Sequence, residues 1–292
     1  MSEWKGVCEA ISRATGQPAV PAGADSLGGG CINQAFRLSV TDGRSWFVKV
    51  NDAASLAMFE AESAGLLELA SANAIRVPQP VCCGSVGQIA YLVMEYIPLG
   101  RGGDAGELGR CLAVMHRRTA ETFGWETDNT IGSTPQINTP DSDWVRFWRE
   151  RRLGFQLRLA ANRGYGGSLQ KKGARLMERF PALFDTHTPE PSLLHGDLWG
   201  GNWSTDARGD PVIFDPAVYY GDREADLAMT ELFGGFGEKF YRAYRADLPL
   251  DPGYSLRKTF YNIYHILNHL NLFGGGYGAQ AEGMIDRVLA EL

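Results

Sequence analysis

Turn-forming residues divide this chain into two unequal parts with different periodicities, and that division limits the folds open to it. In the first third, short apolar stretches are broken by Gly, Pro and Asp-Gly; farther on, apolar residues recur at helical spacing over long runs. The pattern predicts a helix over 1–14 and strands around 25–29, at 32–40 and at 46–50. A helix over 55–70 with Ser55 as its N-cap follows, then strands near Val81 and at 89–95. Helices are expected next at about 104–120, 142–162, 167–180, 222–232, 236–246, 253–272 and 278–291, interrupted by an irregular segment at 193–202 and a strand at 212–214. A strand-rich and a helix-rich part need separate cores. The expected class is therefore α+β with two lobes: a small one with an antiparallel five-stranded sheet plus helix, and a large, mostly helical one. The Tyr96-Ile97-Pro98-Leu99-Gly100 stretch marks the boundary, giving lobes of 1–96 and 97–292.

Chemistry-bearing residues concentrate in Leu194-His195-Gly196-Asp197-Leu198-Trp199-Gly200-Gly201-Asn202, with Asp215 following a short strand. A carboxylate, an amide five residues on and a second carboxylate thirteen further are what phosphoryl transfer from Mg-ATP requires. One Asp accepts a hydroxyl proton, while the amide and the other Asp hold metal. The H-x-D-x-x-x-x-N spacing fits the kinase catalytic-loop template, against the bland alternative of a Gly/Asp-rich turn.

That template calls for a glycine loop, a lysine and a helix glutamate upstream. Gly28-Gly29-Gly30-Cys31-Ile32-Asn33 lies between two strand candidates, where glycines let backbone N–H groups approach phosphate; a plain turn is the alternative. Asn33 stands where G-x-G-x-x-G has its third glycine. Lys49 lies in Phe47-Val48-Lys49-Val50, a strand with apolar neighbours. Its partner is expected from Phe59-Glu60-Ala61-Glu62, whose two acids point about 200° apart on a helix. Glu62 is chosen because it precedes Leu66 and Leu69 on the buried stripe; Glu60 stays open as the alternative.

A net charge of −6 gives phosphate-binding nucleic-acid chemistry no basic stripe. No apolar run approaches the ~18 residues a membrane span needs, and Met1-Ser2-Glu3-Trp4-Lys5 lacks the basic-then-apolar order of a secretory leader. Five cysteines without CxxC spacing argue against a zinc cage or disulfide framework and suit a reducing compartment, so the expected location is cytoplasmic.

The segments HGDLWGGN, GGGCIN, FVKVN, MFEAE and FDPAVYYGDREADLAM resemble the fructosamine/ketosamine-3-kinase family, within the protein-kinase-like small-molecule kinases, over roughly 27–277. The resemblance implies a protein-kinase-like fold with an N-terminal ATP-binding lobe and a C-terminal catalytic lobe. It also implies ATP- and Mg2+-dependent phosphorylation of the 3-hydroxyl of ketosamines, fructosamine or ribulosamine, whose unstable product frees the amine. Carried onto this chain, Asp197 is the general base, and Asn202 and Asp215 are magnesium ligands. Lys49 and Glu62 orient phosphate, Gly28, Gly29 and Gly30 cover it, and Met94, Glu95, Tyr96 and Ile97 offer backbone groups to adenine. Gly200 departs from the family's usual Ser.

Trp199 and His269 are candidates for sugar contact, and each has a structural alternative: a core-facing indole and a lobe-junction hydrogen bond. His265, Asn268 and His269 share a helical face, and Phe233-Gly234-Gly235-Phe236 is a further candidate substrate-facing element. His195 is read as a loop brace, Asp222 as an N-cap and Asp226 as support for the catalytic loop. Family members include some in which the Cys31 position forms a redox-linked dimer; an inert hairpin-tip residue is the alternative. An aminoglycoside- or choline-kinase-like enzyme and a non-catalytic pseudokinase remain the competing readings, and the oligomeric state is open.

Overall fold

The computed structural model describes residues 2–28, 32–100 and 103–292, and the chain packs into two compact units. The first comprises 1–103 and 204–215. Its elements are α1 (Ser2–Thr15), β1 (Pro21–Leu27), β2 (Gln34–Val40), β3 (Ser45–Asp52), α2 (Leu56–Ser71), β4 (Pro80–Val86) and β5 (Ile89–Glu95). The strands form one antiparallel sheet in the order β1-β2-β3-β5-β4. Val7 and Ile11 of α1 pack with Leu38, Val40, Val48, Val50 and Val93 in one core. Alternation along β3 sends Lys49 to the opposite face, where α2 lies.

Two local expectations change. β1 begins at Pro21 rather than near 25 and ends at Leu27, which leaves Gly28 beyond it. Ser55 occupies the N-cap position of α2, but its side chain makes no capping hydrogen bond. A short 3-10 turn over Ala53–Ser55 already carries the chain into the helix.

The second unit comprises 104–203 and 216–292. It opens with α3 (Ala105–His116) and a small hairpin, β6 (Asn129–Ile131) and β7 (Thr134–Gln136). Next come α4 (Trp144–Phe147), a π-helical turn over Trp148–Leu153, α5 (Gly154–Asn162) and α6 (Ser168–Arg179). Four short strands follow along the chain: β8 (Ser192–Leu194) and β11 (Tyr219–Gly221) belong to this unit, β10 (Pro211–Ile213) belongs to the first, and β9 (Trp203–Thr205) starts in this unit and has its last two residues in the first. The unit ends with α7 (Arg223–Leu232), α8 (Glu238–Asp247), α9 (Tyr254–Phe273) and α10 (Tyr277–Glu291). Phe147, Trp148, Phe180, Phe260, Tyr261 and Ile285 belong to a continuous aromatic-rich core.

The segment 204–215 returns to the first unit because its backbone is paired there. Gly100 N–H donates to Thr205 O at 2.7 Å, and Ile213 N–H to Arg76 O at 3.0 Å. Among the described residues, no helix is long and apolar enough to cross a membrane.

At the N-terminus of α7, Asp222 caps by accepting from Glu224 N–H at 3.0 Å. The same carboxylate accepts from Tyr261 Oη at 2.5 Å and lies 2.7 Å from His187 Nε2. Glu224 is clasped by Arg257 at 2.7 and 3.0 Å. These buried charges are paired and hydrogen-bonded to each other, as burial demands.

Helix α3 lies against α8 so closely that a Cβ on Gly109 would stand 2.4 Å from Phe240 O. Gly109→Ala must push the two helices apart, and overpacking of this kind costs about 1–3 kcal/mol. Thermal unfolding should show a Tm lowered by several degrees; an unchanged Tm would mean that this contact is looser than the geometry says.

Candidate active site

Two groups of functional side chains form, one in each unit. In the first, Lys49 Nζ donates to Glu62 Oε1 at 2.5 Å and to Asp215 Oδ1 at 2.7 Å. Lys49 is only 7% exposed. Burial by itself lowers an ammonium pKa, but the charges of Asp215 and Glu62 outweigh it, so Lys49 is raised and stays protonated. Burial pushes the Glu62 carboxyl up, with Lys49 pulling it back. Glu62 rather than Glu60 meets the lysine; Glu60 is exposed. Asp215 ends the returning segment with φ +58°, a left-handed conformation that Asp adopts more readily than most residues.

Gly28 is exposed, and among the described residues other than its chain neighbour none has a heavy atom within 4 Å of where its Cβ would stand. Gly29, Gly30 and Cys31 lie outside the described residues. Just beyond them, Asn51 Nδ2 on β3 donates to Ile32 O at 3.2 Å and Asn33 Oδ1 at 2.7 Å, fastening the entry to β2.

In the 94–97 stretch, Met94 and Ile97 are buried, and the Arg37 guanidinium lies 4.8 Å from the Tyr96 ring centroid. Glu95 N–H is already spent on Gln79 O at 2.8 Å, so of the backbone groups expected to face a ligand this one does not. The Glu95 carboxylate accepts from Arg76 at 2.5 Å, and the other guanidinium nitrogen of Arg76 bonds Asp206 at 2.5 Å. Arg76 thus ties the end of β5 to the returning segment. Sequence reasoning missed both Asn51 and Arg76, and only the polar ending of FVKVN hinted at the first.

In the second unit, β8 pairs antiparallel with β11, Leu194 opposite Tyr219. The chain between them is pinched at its neck, where Ala217 N–H donates to His195 O at 2.8 Å. Gly196 makes this closure possible: its φ is +82°, and a Cβ would stand 1.9 Å from Ala217 O. Beyond the neck, Asn202 Nδ2 donates to Asp197 O at 2.8 Å, with Asp197 Oδ2 at 3.4 Å, and Asn202 N–H donates to Trp199 O at 2.9 Å. Asp197 and Asn202 therefore share one closed turn.

Asp226 accepts from His195 N–H at 2.7 Å and Gly196 N–H at 2.8 Å, the two amides before Asp197. His195 Nδ1 in turn accepts from Asp197 N–H at 3.3 Å, so this histidine braces the turn. Burial raises the Asp226 carboxyl, but His116, His195 and the Gly196 amide together hold it below the usual range.

The β6–β7 hairpin supports the other side of the neck with buried amides. Asn129 Nδ2 donates to Val218 O at 2.8 Å and Gln136 Nε2 to Ala217 O at 3.0 Å. Arg152, on the π-helical turn and 0% exposed, donates to Ile137 O at 2.6 Å and Asn138 Oδ1 at 2.7 Å; its guanidinium lies 4.1 Å from the Tyr219 ring centroid. None of these residues carries a sequence motif.

The shared face of α9 is mostly interior. Asn268 is buried and donates to Ile131 O at 3.3 Å, and His265 is buried with its pKa lowered to about 3, chiefly by burial. Only His269 is half-exposed; its Nδ1–H donates to His265 O at 2.8 Å, leaving Nε2 as the acceptor of the neutral ring. Burial also lowers the His269 pKa. Trp199 is 39% exposed, and its ring covers Gly201, where a Cβ would stand 2.3 Å from the indole.

A carboxyl held low stabilises the fold above its unfolded-state pKa near ~3.9 and loses that contribution as pH falls through the lower folded value. Asp226→Asn should therefore cost about 2–3 kcal/mol at neutral pH, since two amides lose an ionised acceptor. The gap from wild type should narrow in denaturant titrations below pH ~4. A gap constant from pH 7 to 3 would mean that the Asp226 charge contributes nothing.

A fructosamine kinase family model matches residues 3–291. A Synechocystis protein assigned as a ketoamine kinase is 47% identical over 289 residues, covering 98% of this chain and 97% of that protein. The chloroplastic protein-ribulosamine 3-kinase of Arabidopsis thaliana is 48% identical over 271 residues, 91% of this chain and 82% of that one. A crystal structure assigned as a fructosamine-3-kinase from Haemophilus somnus superposes with a TM-score of 0.90 at 26% identity, covering 98% of both chains. The α+β architecture, with its antiparallel five-stranded sheet, is that of protein-kinase-like phosphotransferases. Matched over nearly its whole length, the chain belongs to the fructosamine kinase family.

Proposed function

We propose that this enzyme transfers the terminal phosphoryl group of ATP to the 3-hydroxyl of a ketosamine, after which the phosphorylated product decomposes and frees the amine. The observation that carries the reading is Lys49 held between Glu62 and Asp215, a buried cation on a strand just downstream of a glycine loop. The 48% identity to a protein-ribulosamine 3-kinase supports the acceptor class.

In this reading the first unit binds nucleotide. Phosphate is met by the glycine segment that begins at Gly28, and Lys49, fixed by Glu62, orients it. The 94–97 stretch, without the Glu95 amide, reads adenine. One lysine charge against two carboxylates leaves the cluster net negative. Asp215 and Asn202 are each read as a magnesium ligand, because carboxylate and amide oxygens are the hard donors that magnesium takes; the ion, when bound, offsets charge on the phosphates.

Asp197 accepts the proton of the attacking hydroxyl as the new O–P bond forms, and Asn202 holds the Asp197 backbone in the turn that carries the carboxylate. Asp226 acts through the backbone that it holds. Trp199 offers a ring face to the sugar and His269 Nε2 an acceptor for a sugar hydroxyl. We place the enzyme in the cytoplasm; Cys8, Cys82 and Cys83 are free thiols, in keeping with a reducing compartment.

With Mg-ATP, the protein should phosphorylate fructosyl- or ribulosyl-lysine in preference to an aminoglycoside or choline. Asp197→Ala should lower turnover by about 10²–10⁴-fold with ATP affinity nearly unchanged. Phosphorylation of choline or an aminoglycoside alone would reassign the acceptor, and near-wild-type turnover in the variant would remove Asp197 from the reaction.

A further inference from the structure

Among the described residues, three aromatic rings are clearly exposed: Trp199 at 39%, Phe233 at 40% and Phe273 at 55%. They come from the catalytic turn, the end of α7 and the end of α9, yet they lie in one strip. The Trp199 and Phe233 centroids are 6.2 Å apart, edge to face. Phe233 lies 5.0 Å from the His269 ring, which lies 5.6 Å from Phe273 and 5.2 Å from Tyr277. Contiguous exposed aromatic surface of this kind marks a place where something binds.

Its position says what. The strip starts two residues after Asp197, with the indole seated over Gly201 of the same turn. An acceptor whose hydroxyl lies at Asp197 and whose sugar meets Trp199 and His269 has one further part to place, the group on its amine. At neutral pH a ketosamine amine is a secondary ammonium, and on lysine it continues into an alkyl stem. Aromatic faces attract both, the cation through the ring quadrupole and the methylenes through apolar contact. His269 is held neutral by burial, so no charge in the strip opposes the cation.

We propose that Phe233 and Phe273 form a subsite for the amine carrier, selecting ketosamines whose ammonium bears an alkyl chain. The proposal rests on the ketosamine reading above and adds the side from which the carrier leaves the sugar.

The test compares kcat/KM for two acceptors with the same sugar, 1-amino-1-deoxyfructose and its N-butyl derivative. The wild type should prefer the butyl compound. Phe233→Ala and Phe273→Ala should each reduce that preference by about five- to tenfold, mainly through KM, while Phe233→Leu keeps part of it. Both rings are exposed, so the variants should retain the wild-type Tm. A preference that survives both substitutions, or losses equal for the two acceptors, overturns the subsite. So does a wild-type dimer in sedimentation that Phe273→Ala dissociates, because a second copy would then cover the strip. If the wild type phosphorylates neither acceptor, the ketosamine reading falls and this inference with it. That outcome is distinct from a wild type that turns over both without preference.

Discussion

An ammonium buried in a sheet must be compensated, and Lys49 meets that demand with two carboxylates. One comes from the next helix, thirteen residues on, and the other from Asp215, 166 residues downstream. A single ion cluster therefore sets the rotation of α2 against β3 and anchors the end of the returning segment. Removing either acid leaves a cation with half its partners in a low-dielectric setting, where one-sided loss costs more than the pair gains. Asp215 reaches the lysine from a left-handed backbone conformation, the kind of local strain that functional sites retain when the surroundings hold it in place.

The Asp197 turn is fixed differently, through its backbone. Asp226 takes the two amides that precede Asp197, and Asn202 takes its carbonyl. The β6–β7 amides hold Ala217 and Val218 at the neck. The turn that carries Asp197 is therefore placed chiefly by bonds to its main chain. Loose phosphoryl-transfer transition states reward this division, since they ask for positioning more than for covalent chemistry.

Much of this was legible in the residues. The helix expected at 253–272 runs Tyr254–Phe273, and that at 278–291 runs Tyr277–Glu291, because long amphipathic periods survive any packing. The same stripe logic separated Glu62 from Glu60. What stayed hidden has no period. Three-residue strands such as Ser192–Leu194 and Tyr219–Gly221 exist only because they pair with each other. Gln136, Asn129 and Arg152 are polar residues buried against distant carbonyls, and one sequence alone cannot show which polar groups tertiary contact will bury. His265 and Asn268 fell to the same ambiguity: their helical face is shared, but it turns inward, and only His269 at its edge remains half-exposed.

The ion cluster at Lys49 is the centre on which the first unit is organised, and steady-state kinetics of Glu62→Gln beside Glu60→Gln probe it most directly. The two acids are two residues apart on one helix and differ in whether they touch the lysine. Phosphoryl transfer should fall by about 10²-fold or more in Glu62→Gln, the loss expected when a phosphate-orienting group goes out of place, and stay near wild type in Glu60→Gln. Equal activity in the two variants would contradict the claim that this cluster organises the enzyme.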